Sequence, residues 1–246
     1  MCKISVCMAT YNGEQYVKEQ IQSILRQIPD DSELIISDDG STDGTVNEIN
    51  SIEDERITLL NNNGKHGIIG NFSNAINNSS GDFIFLSDQD DVWLDGKVET
   101  MMNYLQSYDL VHCDSAVTDK DLNIIYDSIY KKIKSGPGLL KNIIRSTYYG
   151  SHMAFRRKIY EDAKPFPDKY IDGEMAIGYD LWLGLVAEIT GSVKFIDKQL
   201  MLYRRNNNSY VSPEFKSDNS LVHKLLRRFY MISYIEQYKK KRLKTQ

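Results

Sequence analysis

Apolar residues alternate along Ile4-Ser5-Val6-Cys7-Met8 and stop at Tyr11-Asn12-Gly13, the pattern of a strand running into a turn. Val17, Ile21, Ile24, Leu25 and Ile28 then recur at i, i+4, i+7, i+8 and i+11, one face of a helix. Asn12 is its predicted N-cap and Pro29 its stop. The alternation repeats. Glu33-Leu34-Ile35-Ile36-Ser37 predicts a second strand, Asp38-Asp39-Gly40-Ser41 a turn, and 42–50 a short helix capped by Ser41 or Thr42. A third strand at 57–60, a helix around 72–77 and a fourth strand at 82–86 follow. Strand and helix in this alternation imply an α/β fold with a mainly parallel sheet covered by helices.

Beyond Asp88 the pattern loosens. The spacing predicts a helix over 97–105, a strand at 110–113, a helix from Tyr179 or Asp180, and two strands at 192–196 and 200–203. Lys134-Ser135-Gly136-Pro137-Gly138 is the clearest breaker cluster and marks a change between two halves of the chain. Near the end Val222, Leu225, Leu226, Phe229 and Ile232 recur at helical spacing with Lys224, Arg227 and Arg228 between them.

Composition changes this picture little. Of 246 residues, 41% are hydrophobic and 26% charged, values of an ordered globular chain long enough to bury a sizeable core. Cys2, Cys7 and Cys113 have no metal-ligand spacing. Met1-Cys2-Lys3-Ile4 runs straight into the first strand, so no signal peptide is expected, and no apolar stretch approaches the ~20 residues that span a bilayer. A reducing, cytoplasmic location follows. Charge adds more: residues 221–246 carry +7, including Lys239-Lys240-Lys241-Arg242 and Lys244, in a chain of net −4, so the body is −11. A basic amphipathic end on an acidic body predicts either peripheral contact with an anionic membrane or a helix docked on the body with a solvated tail. No nucleic-acid partner is expected.

In an open parallel sheet, ligands bind beyond the carboxyl ends of the strands. Polar clusters sit at three such ends: Thr10-Tyr11-Asn12, Asp38-Asp39 and Asp88-Gln89-Asp90-Asp91. The first two also read as simple turns. The third holds three carboxylates in four residues, which repel unless a cation neutralises them. Oxygen ligands favour Mg²⁺ or Mn²⁺, which complete their coordination with substrate phosphates and water. No phosphate-cradling Gly-Lys-Ser/Thr loop and no Gly-x-Gly-x-x-Gly fingerprint is present.

In order and spacing, the segments Ile4 to Asn12, Glu33 to Asp43 and Gly81 to Trp93 resemble the inverting family 2 glycosyltransferases of the GT-A fold. The resemblance is densest over residues 1 to ~105. It implies that Thr10, Tyr11 and Asn12 line a nucleoside pocket, that Asp39 accepts from the N3–H of uracil or thymine, and that Asp88 lies by the ribose and phosphates. Asp90, with Asp88, would hold the metal, and Gly70 and Asn71 would close over the donor. Asp180, in Gly178-Tyr179-Asp180-Leu181-Trp182-Leu183, matches the family's catalytic base. His152 and Trp182 are weaker acceptor-site candidates, each with a purely structural alternative. Residues 1–115 would form the donor half, 116–220 the acceptor half and 221–246 the basic helix and tail. The Asp88 to Trp93 wording resembles the rhamnosyltransferase-like branch of bacterial surface polysaccharide synthesis, whose saccharide acceptors are carried on lipid. Tyr179 stands where many relatives have Glu, and Asn206 where many have His, so no metal or phosphate role is assigned to Asn206.

Two other classes share single features. Haloacid-dehalogenase-like phosphatases carry an Asp-x-Asp motif after a buried strand, though there it opens the fold. A nucleotide-sugar-binding subunit without transfer activity would keep the donor residues and leave Asp180 away from them.

Overall fold

A computed structural model describes residues 3–171, 174–205 and 220–243. Strands β1 (Ile4–Thr10), β2 (Glu33–Asp38), β3 (Ile57–Asn61) and β4 (Phe83–Asp88) alternate with helices α1 (Val17–Leu25), α2 (Thr45–Asn50) and α3 (Ile68–Asn77). After them come β5 (Val92–Trp93), α4 (Lys97–Leu105), β6 (Leu110–Thr118), β7 (Ile124–Tyr126), α5 (Ile129–Ile133) and α6 (Leu139–Ile144). The chain continues with β8 (Met153–Arg156), α7 (Arg157–Ala163), β9 (Tyr170–Ile171), β10 (Glu174–Met175), α8 (Tyr179–Thr190), β11 (Val193–Arg204) and α9 (Leu221–Leu243). No described helix is long and apolar enough to cross a membrane.

One sheet runs β3-β2-β1-β4-β8-β6-β11-β5, with β7 paired to β6. Its first four strands are parallel, as expected. The other half is mixed: β8 is antiparallel to both β4 and β6, and β5 is antiparallel to β11. The central strands alternate faces. Val6, Met8, Leu34, Ile36 and Phe85 point into one apolar layer with Ile21, Ile24 and Met101 of α1 and α4. Cys7, Ile35, Ile84 and Leu86 point into the other with Phe72, Ile159, Trp182 and Leu185 of α3, α7 and α8. Each such aliphatic or aromatic side chain contributes ~1.5–3 kcal/mol on full burial. These two layers clamp the strands, so the strand ends are fixed points on which loops can be hung.

Four expectations are corrected at element ends. Asn12 does not cap α1: it has φ 49°, and Gly13 O accepts the N–H of Tyr16 and Val17 as the helix begins. That helix stops at Leu25, with Gln27 and Ile28 closing a last turn on Ile24 O before Pro29. Nor do Ser41 or Thr42 cap α2. It begins at Thr45, whose N–H donates to Asp43 Oδ1 (3.0 Å), because Ser41 is already bound to Asp38. The two strands expected at 192–196 and 200–203 are one, β11, bulged around Gln199 against β6.

Candidate active site

Parallel register sets Thr10 beside Asp38 and Ala9 beside Asp88, so the ends of β1, β2 and β4 share one rim. Over it lies a cleft of about 340 Å³. Thr10, Tyr11, Asp39, Asp88, Gln89 and Asp90 line it from these strand ends, Gly67, Ile68, Asn71 and Phe72 from the start of α3, and Tyr203, Arg204 and Arg205 from the end of β11.

The adjacent aspartates after β2 divide their work. Asp38 is buried and organises the turn, accepting from Thr10 Oγ1 (2.8 Å), Gly40 N (3.1 Å), Ser41 N (2.8 Å) and Ser41 Oγ (2.6 Å). Asp39 faces the cleft. Its Oδ1 meets Asn62 Nδ2 (2.6 Å) and His66 Nδ1 (2.9 Å), and its Oδ2 accepts from Gly67 N (2.8 Å). A carboxylate offers about four acceptor sites, so it keeps capacity for a further donor. Asn71 is buried beside it; its amide donates to Thr10 O (3.0 Å), and its Oδ1 has no hydrogen-bond partner among the described residues. Such an atom is costly to bury unless something in the cleft donates to it.

Two other residues named from the resemblance lie just outside the cleft lining. Asn12 ties the β1 and β2 loops together, its N–H donating to Ser41 Oγ (2.9 Å) and its Oδ1 accepting from Thr42 N (2.8 Å). Gly70 lies against the backbone: a Cβ there would fall 1.6 Å from Lys65 O, so only glycine lets α3 close on the 62–67 loop.

The acidic run splits at its end. Asp88 and Asp90 line the cleft, whereas Asp91 turns inward and accepts from Arg204 N (3.1 Å). Burial, then the neighbouring Asp90 and Asp88, hold its carboxyl well above the usual range. Burial, then the carboxylates of Asp90 and Asp180, push Asp88 up to about 7. Below them Lys97, the first residue of α4, is fully buried; its Nζ donates to Ser151 O (2.9 Å) and sits 4.4 Å from the centre of the Trp93 ring. Among the described residues no three His, Cys, Asp or Glu side chains are grouped to hold a metal by themselves. The two carboxylates that line the cleft, Asp88 and Asp90, match the one or two that Mg²⁺ or Mn²⁺ usually takes from protein.

Asp180, the second residue of α8, does not itself line this cleft; its neighbour Tyr179 packs on Phe72, which does. Leu181 N donates to its Oδ1 (2.7 Å), and burial pushes its carboxyl up to about 6 against the opposing pull of the Leu181 and Gly150 N–H groups and the Arg227 guanidinium. Its charge reaches Asp88. Two contacts hold it there. The Phe72 and Tyr179 rings stack with centroids 4.8 Å apart, joining α3 to α8. A Cβ on Gly150 would lie 1.9 Å from Tyr179 Oη, so only glycine admits this approach.

His152 lies beneath this wall. It is fully buried, its Nε2 is 2.9 Å from Ser115 Oγ, and its ring stacks on His112 at 5.2 Å. Burial and His112 hold it well below the usual imidazole range, so it is neutral. Trp182 is likewise buried, donating from Nε1 to Ala163 O (2.8 Å), and it borders a second cavity beside α9 instead of the cleft. Sequence reasoning missed the roles of Gln89, Lys97, Ser151 and the β11 arginines. Arg204 donates to Asp90 O (2.7 Å) and Lys120 O (2.6 Å) and pairs with Glu19. The Arg205 charge reaches Asp88. The Tyr203-Arg204-Arg205 run was visible, but only the bulged register of β11 brings it to the cleft; Asn206 lies outside the described residues, as does Lys244.

The chain is 26% identical over 251 residues to an Escherichia coli UDP-Glc:alpha-D-GlcNAc-diphosphoundecaprenol beta-1,3-glucosyltransferase, covering 94% of this chain and 92% of that protein. It is 27% identical over 208 residues to a Campylobacter jejuni GalNAc(5)-diNAcBac-PP-undecaprenol beta-1,3-glucosyltransferase, covering 83% of this chain but only 65% of that one. The fold is similar, with a TM-score of 0.60 at 17% identity, to the Pyrobaculum calidifontis mannosyltransferase PcManGT in complex with GDP-Man and Mn²⁺, covering 84% of this chain and 58% of that one. The profile of glycosyl transferase family 2 matches residues 5–163, and the chain belongs to that family.

Proposed function

We propose that the chain transfers a hexosyl or rhamnosyl unit from a UDP- or dTDP-sugar to a hydroxyl of a lipid-linked saccharide, with inversion, in bacterial surface polysaccharide synthesis. One observation carries this reading: Asp180, far along the chain from the Asp88 that lines the cleft, comes close enough for the two carboxylates to feel each other's charge, and its neighbour Tyr179 stacks on Phe72 of the cleft lining. The undecaprenol-linked substrates in the names of the two relatives support the lipid-linked acceptor. Family membership excludes the phosphatase alternative, and the convergence argues against a subunit that only binds.

Residues 1–115 bind the donor. Thr10, Tyr11 and Asn71 surround the nucleoside, with Asp39 accepting from the base N3–H, while Asn12 and Gly70 keep the surrounding loops closed. Asp88 and Asp90 would hold Mg²⁺ or Mn²⁺, which neutralises the leaving diphosphate. Arg205 adds positive charge on the same side. Residues 116–220 bind the acceptor. Asp180 takes the proton from the attacking hydroxyl as the new bond forms, on the face opposite the departing diphosphate. Its carboxyl, held near 6, is ionised at pH 7 and still basic enough to accept that proton. The basic helix keeps the enzyme on the inner face of the plasma membrane, where a lipid-linked acceptor is available.

A panel of UDP-, dTDP- and GDP-sugars with Mn²⁺, read by thermal shift, identifies the donor, since a ligand of the folded state raises its melting temperature. NMR of the product then reads the anomeric configuration. A retained configuration excludes Asp180 as the base of a single displacement.

A further inference from the structure

The C-terminal helix has two apolar faces. His223, Met231 and Ile235 are buried against the body, and Tyr230, Tyr234 and Tyr238 pack on the same core. The other face, Val222, Leu225, Leu226, Phe229 and Ile232, is exposed, with Phe229 66% accessible. Beside it lies α6, whose Leu140 and Ile144 are 76% and 65% accessible. Arg228 donates to Ile144 O (2.9 Å), which joins the two helices into one surface. With Leu221, these supply eight of the fifteen large apolar side chains exposed among the described residues. A concentration of that kind marks an interaction surface.

Charge identifies the partner. Residues 128–147, which carry α6, include Lys131, Lys132, Lys134, Lys141 and Arg145 and no acid. Residues 220–235, the first two-thirds of α9, include Lys224, Arg227 and Arg228 and no acid. The whole chain is net negative, so this is a local inversion of sign around an apolar patch. An apolar surface rimmed by cations fits an anionic bilayer, which takes the side chains into its headgroup boundary and the cations at its phosphates. The surface also adjoins the segment that leads to Asp180: Arg227, next to Arg228, donates to Ala176 O (3.1 Å), just before α8.

We propose that α6 and the first half of α9 form one docking face that lies on an anionic lipid bilayer and holds the start of α8, with Asp180, next to it. This rests on the lipid-linked acceptor proposed above and deepens it, because it moves the attachment from the Lys239–Arg242 run to a two-helix apolar surface. A headgroup-deep face brings the acceptor's sugar to Asp180 without extracting its lipid.

Co-sedimentation tests it with vesicles of phosphatidylglycerol and phosphatidylethanolamine, and with phosphatidylcholine alone. Wild type should bind the anionic vesicles at least tenfold better. Leu225→Glu with Phe229→Glu, and separately Lys131→Glu with Lys141→Glu, should each reduce that binding at least tenfold with unchanged thermal unfolding. Lys239→Glu with Lys240→Glu should change it less than threefold. The proposal is overturned if wild type ignores anionic vesicles, if the Lys239/Lys240 pair alone removes binding, or if the face proves to be a dimer contact that Leu225→Glu with Phe229→Glu splits. Sedimentation involves no sugar transfer, so transfer to a detergent-solubilised acceptor by a protein that ignores vesicles would sink the docking face and leave the proposed reaction standing.

Discussion

The rim at the ends of β1, β2 and β4, which lines the cleft, and the buried wall behind it that includes Asp91, Lys97 and Asp180 are assembled differently. On the rim, each polar cluster follows its strand at once, and its hydrogen bonds run to the neighbouring loop, as from Asn12 to Ser41 and Thr42 or from Asp39 to Gly67. On the wall, the parts come from across the chain: Lys97 reaches Ser151, Asp91 takes the Arg204 N–H, and Gly150 makes room for Tyr179. Local redundancy makes the rim tolerant of single losses. The wall, whose parts are buried and drawn from distant segments, should be brittle.

The sharpest way to break this contrast is Asp180→Asn. Loss of a general base without loss of shape should lower kcat on the order of 10²–10⁴-fold and leave donor affinity intact. In the wild type a carboxyl raised to about 6 stays protonated at lower pH, so kcat should fall as pH drops through about 6. That limb should be absent in the variant. Near-normal turnover in Asp180→Asn would remove the wall's chemical role.

Legibility divides along the same line. The parallel strands and the rim clusters were readable because period-two alternation and turn residues are local signals, and Asp88, Asp90 and Asp39 sit directly after apolar runs. Asp91 received no role of its own for a physical reason: spacing gives the charge density of a run but not which carboxylate turns inward, and that depends on the Arg204 amide 113 residues away. Lys97 was read only as the start of a helix, because spacing does not show that its amine is buried. The mixed half-sheet stayed hidden because β5 and β8 are too short for periodicity to register, and β11 because its bulge breaks the alternation. The helical spacing of Val222 to Ile232 was legible but not whether that side docks on the body; the structure leaves it exposed and docks a different stripe, rich in tyrosine, that the spacing did not single out.

A smaller effect is expected from the metal site on the rim. EDTA treatment, or Asp90→Ala, should lower transfer by at least the ~10–100-fold typical when a metal's outer-shell support is lost. Circular dichroism should be unchanged. Full activity in metal-free buffer would mean that Arg205 and its neighbours stabilise the leaving diphosphate alone.

Lys97→Met probes the brittleness of the wall through stability. The variant keeps the volume but leaves Ser151 O without its donor and takes a cation from beside Asp91. An unsatisfied buried acceptor costs ~1–3 kcal/mol, so unfolding in urea should show a loss of about 2 kcal/mol, roughly 30-fold in the folding equilibrium. A neutral outcome would mean that the buried amine is a burden that packing alone can replace.

Gln89→Ala should have the smallest effect and tests the rim's tolerance. Gln89 accepts from Tyr11 N (2.8 Å) through Oε1 and donates to Tyr11 O (2.9 Å) through Nε2, so one side chain clips the β4 loop to the β1 loop. Both bonds lie toward solvent, where each contributes at the low end of ~0.5–1.5 kcal/mol. The neighbouring Asn12 ties the same loop to Ser41 and Thr42 independently. Removing Gln89 therefore loosens Tyr11 before the donor arrives and leaves the reacting atoms untouched. Donor KM should rise by about fivefold, equivalent to ~1 kcal/mol, with kcat unchanged. A fall in kcat at constant KM would instead put Gln89 at the transition state, and the rim would then be as brittle as the wall.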